Sequence, residues 1–179
     1  MKKYNEIQGW FDYADVYDYL VSTIPNSGIF VEGGAWLGSS SSYLCDIAND
    51  RIQVFIVDSW LGSSDELNTT HKLATQTDIY EIFLQNMGNR KFIPIRKNSI
   101  DASKNFNDES CDVVFIDMGH SYEDVINDLR AWYPKVKNGG YIAGHDIDKD
   151  GVKIAVTEFF KNNYNNIGTR CWISQKVKK

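Results

Sequence analysis

Apolar residues in this chain follow two alternating patterns. Short continuous apolar runs, such as 54–57 and 113–116, are typical of strands buried on both faces, whereas the segments between them repeat apolar residues with the spacing of helices. Because strands and helices alternate, the pattern predicts an α/β fold: a doubly wound, mostly parallel sheet with helices on both faces. The predicted strands are 28–32, 52–58, 92–96, 112–117 and 141–144, and the tail at 166–177 adds one or two more.

The segments between these strands predict helices at 15–24, 40–49, 70–87, 100–106, 122–133 and 152–160, with a polar loop at 59–70. A length of 179 residues fits a single domain, 1–179, in which residues 1–27 form an N-terminal helical segment. Aromatic residues are frequent in this segment, and they either pack the first helix onto the sheet or form a lid over a ligand site. They are Trp10, Phe11, Tyr13, Tyr17 and Tyr19.

Charge and cysteine content exclude several function classes. The net charge of −5 argues against a nucleic-acid partner, because phosphate binding needs a cationic face. No apolar run is long enough to cross a membrane, and the N-terminus lacks the apolar core of a signal peptide. The three cysteines are far apart and form neither a disulfide framework nor a zinc pattern, so we expect a reduced, cytoplasmic compartment.

The most informative segment is the turn after the first predicted strand. The apolar run 29–31 ends at Glu32, and a glycine-rich turn then leads to small hydroxylated residues that can start a helix. Doubly wound α/β proteins build a nucleotide pocket in this way at the carboxyl end of the first strand. A second acidic residue, Asp58, ends the next apolar run, where a partner for ribose hydroxyls is expected.

Polar residues also follow the later strands. Asp117 ends the fourth predicted strand, and His145 and Asp146 directly follow the fifth. In an open α/β sheet the ligand crevice lies outside the carboxyl ends of the strands, so these side chains are expected to face one cleft. The alternative is that they are helix N-caps and solvated turn residues, which are common at such positions.

The chain resembles the class I S-adenosylmethionine-dependent methyltransferases, in the form found in small-molecule O-methyltransferases. The turn Glu32-x-Gly34-x-x-x-Gly38-x-Ser40 is similar to motif I of that superfamily, with Trp36 in place of the usual middle glycine. Segments 113–123, 131–146 and 151–159 are similar to a bacterial subgroup of these enzymes, and the likeness extends from Gly9 to Trp172. The resemblance implies a Rossmann-like methyltransferase sheet with an antiparallel strand near the C-terminus.

The resemblance also implies how the methyl donor, S-adenosylmethionine, is bound. The glycine turn contacts its methionine end, Glu32 lies near its amino group, and Asp58 holds the ribose hydroxyls. Trp60 borders the adenosine, although loop packing explains this residue equally well. The implied cofactor-binding residues are Glu32, Gly33, Gly34, Gly38, Ser39, Asp58, Ser59, Trp60, Asn98, Ser99 and Asp117.

For catalysis the resemblance leaves two alternatives. In metal-dependent relatives, the positions of Asp117, His145 and Asp146 bind magnesium, but magnesium prefers oxygen ligands, so His145 favours a softer divalent metal or none. In a metal-free site His120 or His145 takes the acceptor's proton, since imidazole titrates near neutrality. His120 stands where the metal-dependent relatives have a proton-accepting lysine.

The sequence therefore predicts an enzyme that methylates a small-molecule acceptor, most simply at oxygen. Two rivals remain: a nicotinamide-dependent oxidoreductase, which the first two strands alone would fit, and a non-catalytic cofactor-binding module. The glycines at 33, 34 and 38 lack the GxGxxG spacing of dinucleotide-binding folds. Little of the chain is left for a substrate cap, so either the acceptor binds shallowly or a second subunit in a homo-oligomer completes the site.

Overall fold

The computed structural model describes residues 1–62 and 77–177, and within them seven strands form one sheet. The order across the sheet is β3-β2-β1-β4-β5-β7-β6, in which the first five strands are parallel and β7 runs antiparallel to both of its neighbours. This confirms the predicted sheet and its antiparallel C-terminal strand. The strands are β1 (Ile29–Gly33), β2 (Gln53–Asp58), β3 (Ile93–Arg96), β4 (Cys111–Ile116), β5 (Val136–Gly144), β6 (Asn165–Ile167) and β7 (Cys171–Gln175).

Helices connect the parallel strands and cover both faces of the sheet. They are α1 (Ala14–Ser22), α2 (Ser39–Ala48), α3 (Ile79–Met87), α4 (Ser99–Ser103), α5 (Tyr122–Trp132) and α6 (Asp150–Phe160), with single 3₁₀ turns at Tyr4–Glu6 and Tyr133–Lys135.

The central strands bury both of their faces because successive side chains point to opposite sides of a sheet. Phe30, Ile56 and Val113 pack with α1, α2 and α3. The residues that follow each of them, Val31, Val57 and Val114, pack with α4, α5 and α6. This explains the continuous apolar runs of the sequence, since a half-solvated strand would alternate apolar and polar residues.

Two elements differ from the sequence predictions. The helix predicted at 70–87 begins only at Ile79, where the Asp78 carboxylate caps it by accepting a hydrogen bond from the Tyr80 amide; residues 63–76 of the predicted loop and helix lie outside the described part. Strand β5 begins at Val136 rather than at residue 141. Residues 138–140 lie in an irregularity of the β4–β5 ladder, where Gly139 has φ +83°.

The strand order opens a crevice at the carboxyl ends of the parallel strands. Strand β1 lies between β2 and β4, so the chain leaving β1 crosses to one side of the sheet and the chain leaving β4 crosses to the other. A crevice forms between the two connections, and ligands bind there in open α/β sheets. The predicted strand-end residues Asp58, Asp117, His145 and Asp146 all lie along this crevice. Across the two described ranges, no helix is both long and apolar enough to span a membrane.

Candidate functional site

A cavity of about 630 Å³ lies at the carboxyl ends of the parallel strands. The N-terminal segment forms one wall of it through Trp10, Phe11 and Tyr13. The structure brings ten of the predicted site residues to its lining, although they come from five separate stretches of chain. These are Gly34, Ser39, Asp58, Ser59, Asn98, Ser99, Asp117, His120, His145 and Asp146.

The glycine turn is shaped by its close approach to the end of β4. Gly34 has φ +91°, and a Cβ at this position would lie 1.8 Å from the carbonyl oxygen of Asp117, so no other residue fits without moving one of the two strands. Gly38, with φ +95°, then directs the chain into α2, whose first residues Ser39 and Ser40 line the cavity. The positive end of the α2 dipole therefore faces the space where a carboxylate can bind.

Asp58 organises this turn as well as lining the cavity. Its Oδ2 accepts hydrogen bonds from the amides of Ala35 (2.8 Å) and Trp36 (3.0 Å), and its Oδ1 accepts one from the amide of Trp60 (2.7 Å). A carboxylate has about four acceptor positions, so one remains for a ligand hydroxyl. Asp58 therefore joins the loops after β1 and β2 before any ligand is bound.

Asn98 and Ser99 follow β3 and border the same cavity from the other side. The Asn98 side chain caps α4: its Oδ1 accepts from the Asp101 amide at 2.9 Å and its Nδ2 donates to the Asp101 carboxylate at 2.7 Å. The Ser99 hydroxyl accepts a hydrogen bond from the Trp132 indole at 2.8 Å. Both side chains are thus held in place by their own helix and its neighbour α5.

Four predicted cofactor-binding residues do not line the cavity. Gly33 is covered by Met118, and Gly38 packs against Phe83. Trp60 is buried at 1% exposure in the core next to α3, and its indole donates to the Trp36 carbonyl, which differs from the expected position beside adenosine. The fourth is Glu32.

Glu32 lies beneath the cavity in a buried hydrogen-bond network, which differs from the implied contact with the donor's amino group. Its carboxyl group accepts hydrogen bonds from the hydroxyls of Tyr17 (2.7 Å) and Ser41. Burial raises the pKa of Glu32 to about 7, and the two hydroxyls only partly offset that effect. The sequence pattern located Glu32 at the end of β1 but could not show whether its side chain points into the cavity or into the core beneath it.

A second group of cavity-lining residues is arranged around the Asp146 carboxylate. Its Oδ2 lies 2.8 Å from His120 Nε2 and 3.2 Å from Lys149 Nζ, and its Oδ1 accepts a hydrogen bond from the Arg170 guanidinium. Burial opposes ionisation of Asp146, but hydrogen bonds from His120 and His145 and the charge of Lys149 hold its pKa well below the usual range. Asp146 is therefore a carboxylate whose charge is already balanced by protein cations.

His145 is buried among three carboxylates. Its Nε2 lies 3.1 Å from Asp12 Oδ1, and its Nδ1 lies 3.4 Å from Asp146 Oδ1 and 3.7 Å from Asp117 Oδ1. Burial lowers the pKa of the imidazole, but interactions with Asp117 and Asp146 outweigh it and raise the pKa to about 10. The Asp117 and Asp146 carboxylates therefore favour the protonated form of His145.

The residues of the implied metal set lie close to one another: His145 Nδ1 is 3.7 Å from Asp117 Oδ1 and 3.4 Å from Asp146 Oδ1. Asp117, His120 and Asp146 also approach one another, with one donor atom of each within 4.8 Å of the others. The oxygens of both carboxylates are engaged, since Asp117 Oδ2 accepts from the Tyr13 hydroxyl at 2.9 Å and both oxygens of Asp146 face cations. A hard divalent cation would have to displace these partners, so the donor set fits magnesium poorly.

Five residues of the site were missed by sequence reasoning. Lys149 falls three positions after Asp146 at the start of α6, which is a detectable helical spacing, and Asp128 is an acidic residue on the otherwise apolar face of α5. Tyr13 was named only as a member of an aromatic cluster, whereas its hydroxyl binds Asp117. Asp12 and Arg170 contact His145 and Asp146 across long stretches of chain, and no local sequence pattern predicts such contacts.

Comparison with known proteins gives a consistent result. A family model described as a methyltransferase domain matches residues 31–147. No curated protein sequence has a significant match to the chain.

Among solved structures, the O-methyltransferase NovP shares 18% identity at a TM-score of 0.66, covering 92% of this chain and 79% of its own. An rRNA methylase from Streptococcus thermophilus shares 14% identity at a TM-score of 0.60, covering 92% and 95%. A candidate methyltransferase from Streptococcus mutans in complex with SAH shares 12% identity at a TM-score of 0.59, covering 93% and 98%.

Proposed function

Because the chain belongs to the family of methyltransferase domains, we propose that it transfers a methyl group from S-adenosylmethionine to a hydroxyl oxygen of a small-molecule acceptor. The observation that carries the proposal is a cavity whose lining includes both the glycine turn with Asp58 and the His120–Asp146 pair. One ligand bound across the first set of residues would present its reactive group toward the second.

In this proposal the methionine end of the donor lies against Gly34 and the first turn of α2. The helix dipole and the amides of that turn support binding of its carboxylate. Asp58 uses its remaining acceptor position for a ribose hydroxyl, and Asn98 and Ser99 border the adenine. These residues lie on rigid elements, so they hold the sulfonium in place, and positioning of two reactants is a large part of catalysis for such a transfer.

His120 is assigned as the proton acceptor. Its Nε2 lies 2.8 Å from the Asp146 carboxylate, which orients the imidazole at the cavity wall. The acceptor oxygen gives its proton to the His120 imidazole and attacks the methyl carbon, the carbon–sulfur bond breaks, and S-adenosylhomocysteine leaves as a neutral thioether. His145 is less suited to this role because Asp117 and Asp146 raise its pKa and favour its protonated form.

A metal is not needed in this scheme. Lys149 and Arg170, together with the protonated His145, supply positive charge around Asp117 and Asp146. These cations can stabilise the negative charge that develops on the acceptor oxygen, which is the task of a divalent ion in metal-dependent enzymes.

A small molecule is favoured as acceptor over nucleic acid, although the fold is shared with an rRNA methylase. The net charge of −5 leaves no excess of cations for a phosphate backbone, and the N-terminal segment contributes aromatic residues to the cavity lining. We place this activity in a single cytoplasmic domain spanning residues 1–179.

The experiment compares wild type, His120→Gln and His145→Gln for S-adenosylhomocysteine production with a panel of phenols, catechols and sugars. Glutamine cannot take the proton, so His120→Gln should lower turnover by roughly 10²–10⁴-fold while calorimetry shows unchanged affinity for S-adenosylhomocysteine. Near-normal turnover of His120→Gln would contradict the assignment of the base. Absence of methyl transfer by wild type together with absence of donor binding would contradict the proposed function itself.

A further inference from the structure

One buried carboxyl group in the cavity has no part in the scheme above. Asp128 lies in the second turn of α5, is 5% exposed, and lines the cavity together with Asn98, Ser99 and Asn127. Its helix neighbours on the same face, Val125 and Leu129, are apolar core residues, so Asp128 interrupts an otherwise apolar stripe. A carboxyl group buried on an apolar helix face is costly unless it forms hydrogen bonds.

The protein offers this carboxyl group few hydrogen-bond partners. The nearby Ser99 hydroxyl favours the charged form of Asp128, whereas burial and the Asp124 carboxylate oppose it, and the pKa is raised to about 7. No cation among the described residues contributes to Asp128. The Ser99 hydroxyl is itself fixed, since it accepts a hydrogen bond from the Trp132 indole at 2.8 Å.

An incompletely paired buried carboxyl group is costly unless a ligand completes its hydrogen bonds. The space that Asp128 faces is the half of the cavity bordered by α4 and α5, which pack on one side of the sheet. Ser39, which lies in the helix turn assigned to the methionine end in the proposed function, belongs to α2 on the other side. The ligand group near Asp128 is therefore the base of the donor rather than its amino-acid end.

We propose that Asp128 accepts a hydrogen bond from the exocyclic amino group of the donor's adenine and thereby makes the site selective for adenine over hypoxanthine. This inference rests on the proposed function, because it requires the donor to be a nucleoside. The proposal assigns selectivity for the adenine base to Asp128, which lies within helix α5 and not among the strand-end residues of the sequence motifs. Ser99 and Trp132 act as positioning residues for Asp128.

The test is a calorimetric comparison of S-adenosylhomocysteine with S-inosylhomocysteine, in which a carbonyl oxygen replaces the amino group. A hydrogen bond to a charged or strongly polar partner is worth roughly a tenfold to hundredfold difference in affinity, so wild type should prefer the adenosyl compound by about that factor. Asp128→Asn can present either an oxygen or an amide N–H to the base, so its preference should fall to within about threefold. Glu123→Gln, an exposed change on the same helix, should retain the wild-type preference.

Asp128→Asn is expected to fold, because the raised pKa shows that the folded protein favours the neutral carboxyl group that asparagine imitates. Circular dichroism checks this, and Asp128→Ser gives the same comparison if asparagine is not tolerated. Equal binding of both compounds by wild type, or an undiminished preference in the Asp128 variants, overturns the inference and leaves the proposed function standing. Failure of wild type to bind either compound overturns the proposed function.

Discussion

The buried Glu32 carboxyl group should give the protein a defined dependence of stability on pH. In the folded state its pKa is raised from the ordinary value of 4.5 to about 7, chiefly because burial disfavours the charged form. Between these two values the unfolded chain releases the proton while the folded protein keeps it. The free energy of unfolding therefore falls as pH rises through this window, and the contribution is constant above it.

The size of the effect follows from the shift. At about 1.4 kcal/mol per pKa unit, this rise corresponds to a maximum on the order of 3 kcal/mol, of which roughly 2–3 kcal/mol falls between pH 5 and pH 8. Glu32→Gln imitates the protonated group and can still bond to Tyr17 and Ser41, but it cannot ionise. Relative to wild type, this variant should therefore gain stability by that amount on going from pH 5 to pH 8.

Urea denaturation followed by tryptophan fluorescence at a series of pH values measures this difference. Other titrating groups contribute to both proteins and cancel in the comparison, apart from the weaker coupling of Glu32 to Asp117. Glu123→Gln serves as the exposed control and should track wild type within about 0.5 kcal/mol. A stability difference between Glu32→Gln and wild type that stays constant from pH 5 to pH 8 would refute the reasoning.

Two further predictions concern the site. Asp58→Ala removes the acceptor for the amides of Ala35, Trp36 and Trp60, so it should lower the free energy of unfolding by at least about 2 kcal/mol as well as weaken S-adenosylhomocysteine binding; a melting temperature equal to that of wild type would show that the three bonds contribute little. Methyl transfer should continue in excess EDTA at an unchanged rate, because protein cations occupy the Asp146 carboxylate; loss of activity that a divalent ion restores would show that a metal displaces them.

Most of the fold could be predicted from the sequence because the signals for strands and helices are local. A strand buried on both faces is apolar throughout, and the chain becomes polar where it leaves the sheet. A run such as 113–116 therefore locates both the strand and the sheet edge at which Asp117 lies. The family match confirms the predicted class, an S-adenosylmethionine-dependent methyltransferase. The boundaries of α3 and β5 were less predictable, because a capping aspartate at 78 and an irregular ladder at 138–140 depend on tertiary neighbours.

The pairing of side chains within the site was beyond the reach of sequence patterns. The position of His145 after β5 suggested a base or a metal ligand, but could not show that Asp12, Asp117 and Asp146 surround it and that the latter two raise the pKa of its imidazole. Trp60 follows Asp58 closely enough to suggest a ligand contact, yet the loop turns it into the core. Each outcome depends on which residues the fold brings together from distant parts of the chain.

The measurement that tests the central claim most directly is isothermal titration calorimetry of the purified protein with S-adenosylhomocysteine and, separately, with NAD. The account predicts saturable binding of one S-adenosylhomocysteine per chain and no detectable heat with NAD, because the turn from Glu32 to Gly38 and the single Asp58 carboxylate suit one nucleoside rather than a dinucleotide. Saturable binding of NAD without binding of S-adenosylhomocysteine would contradict it.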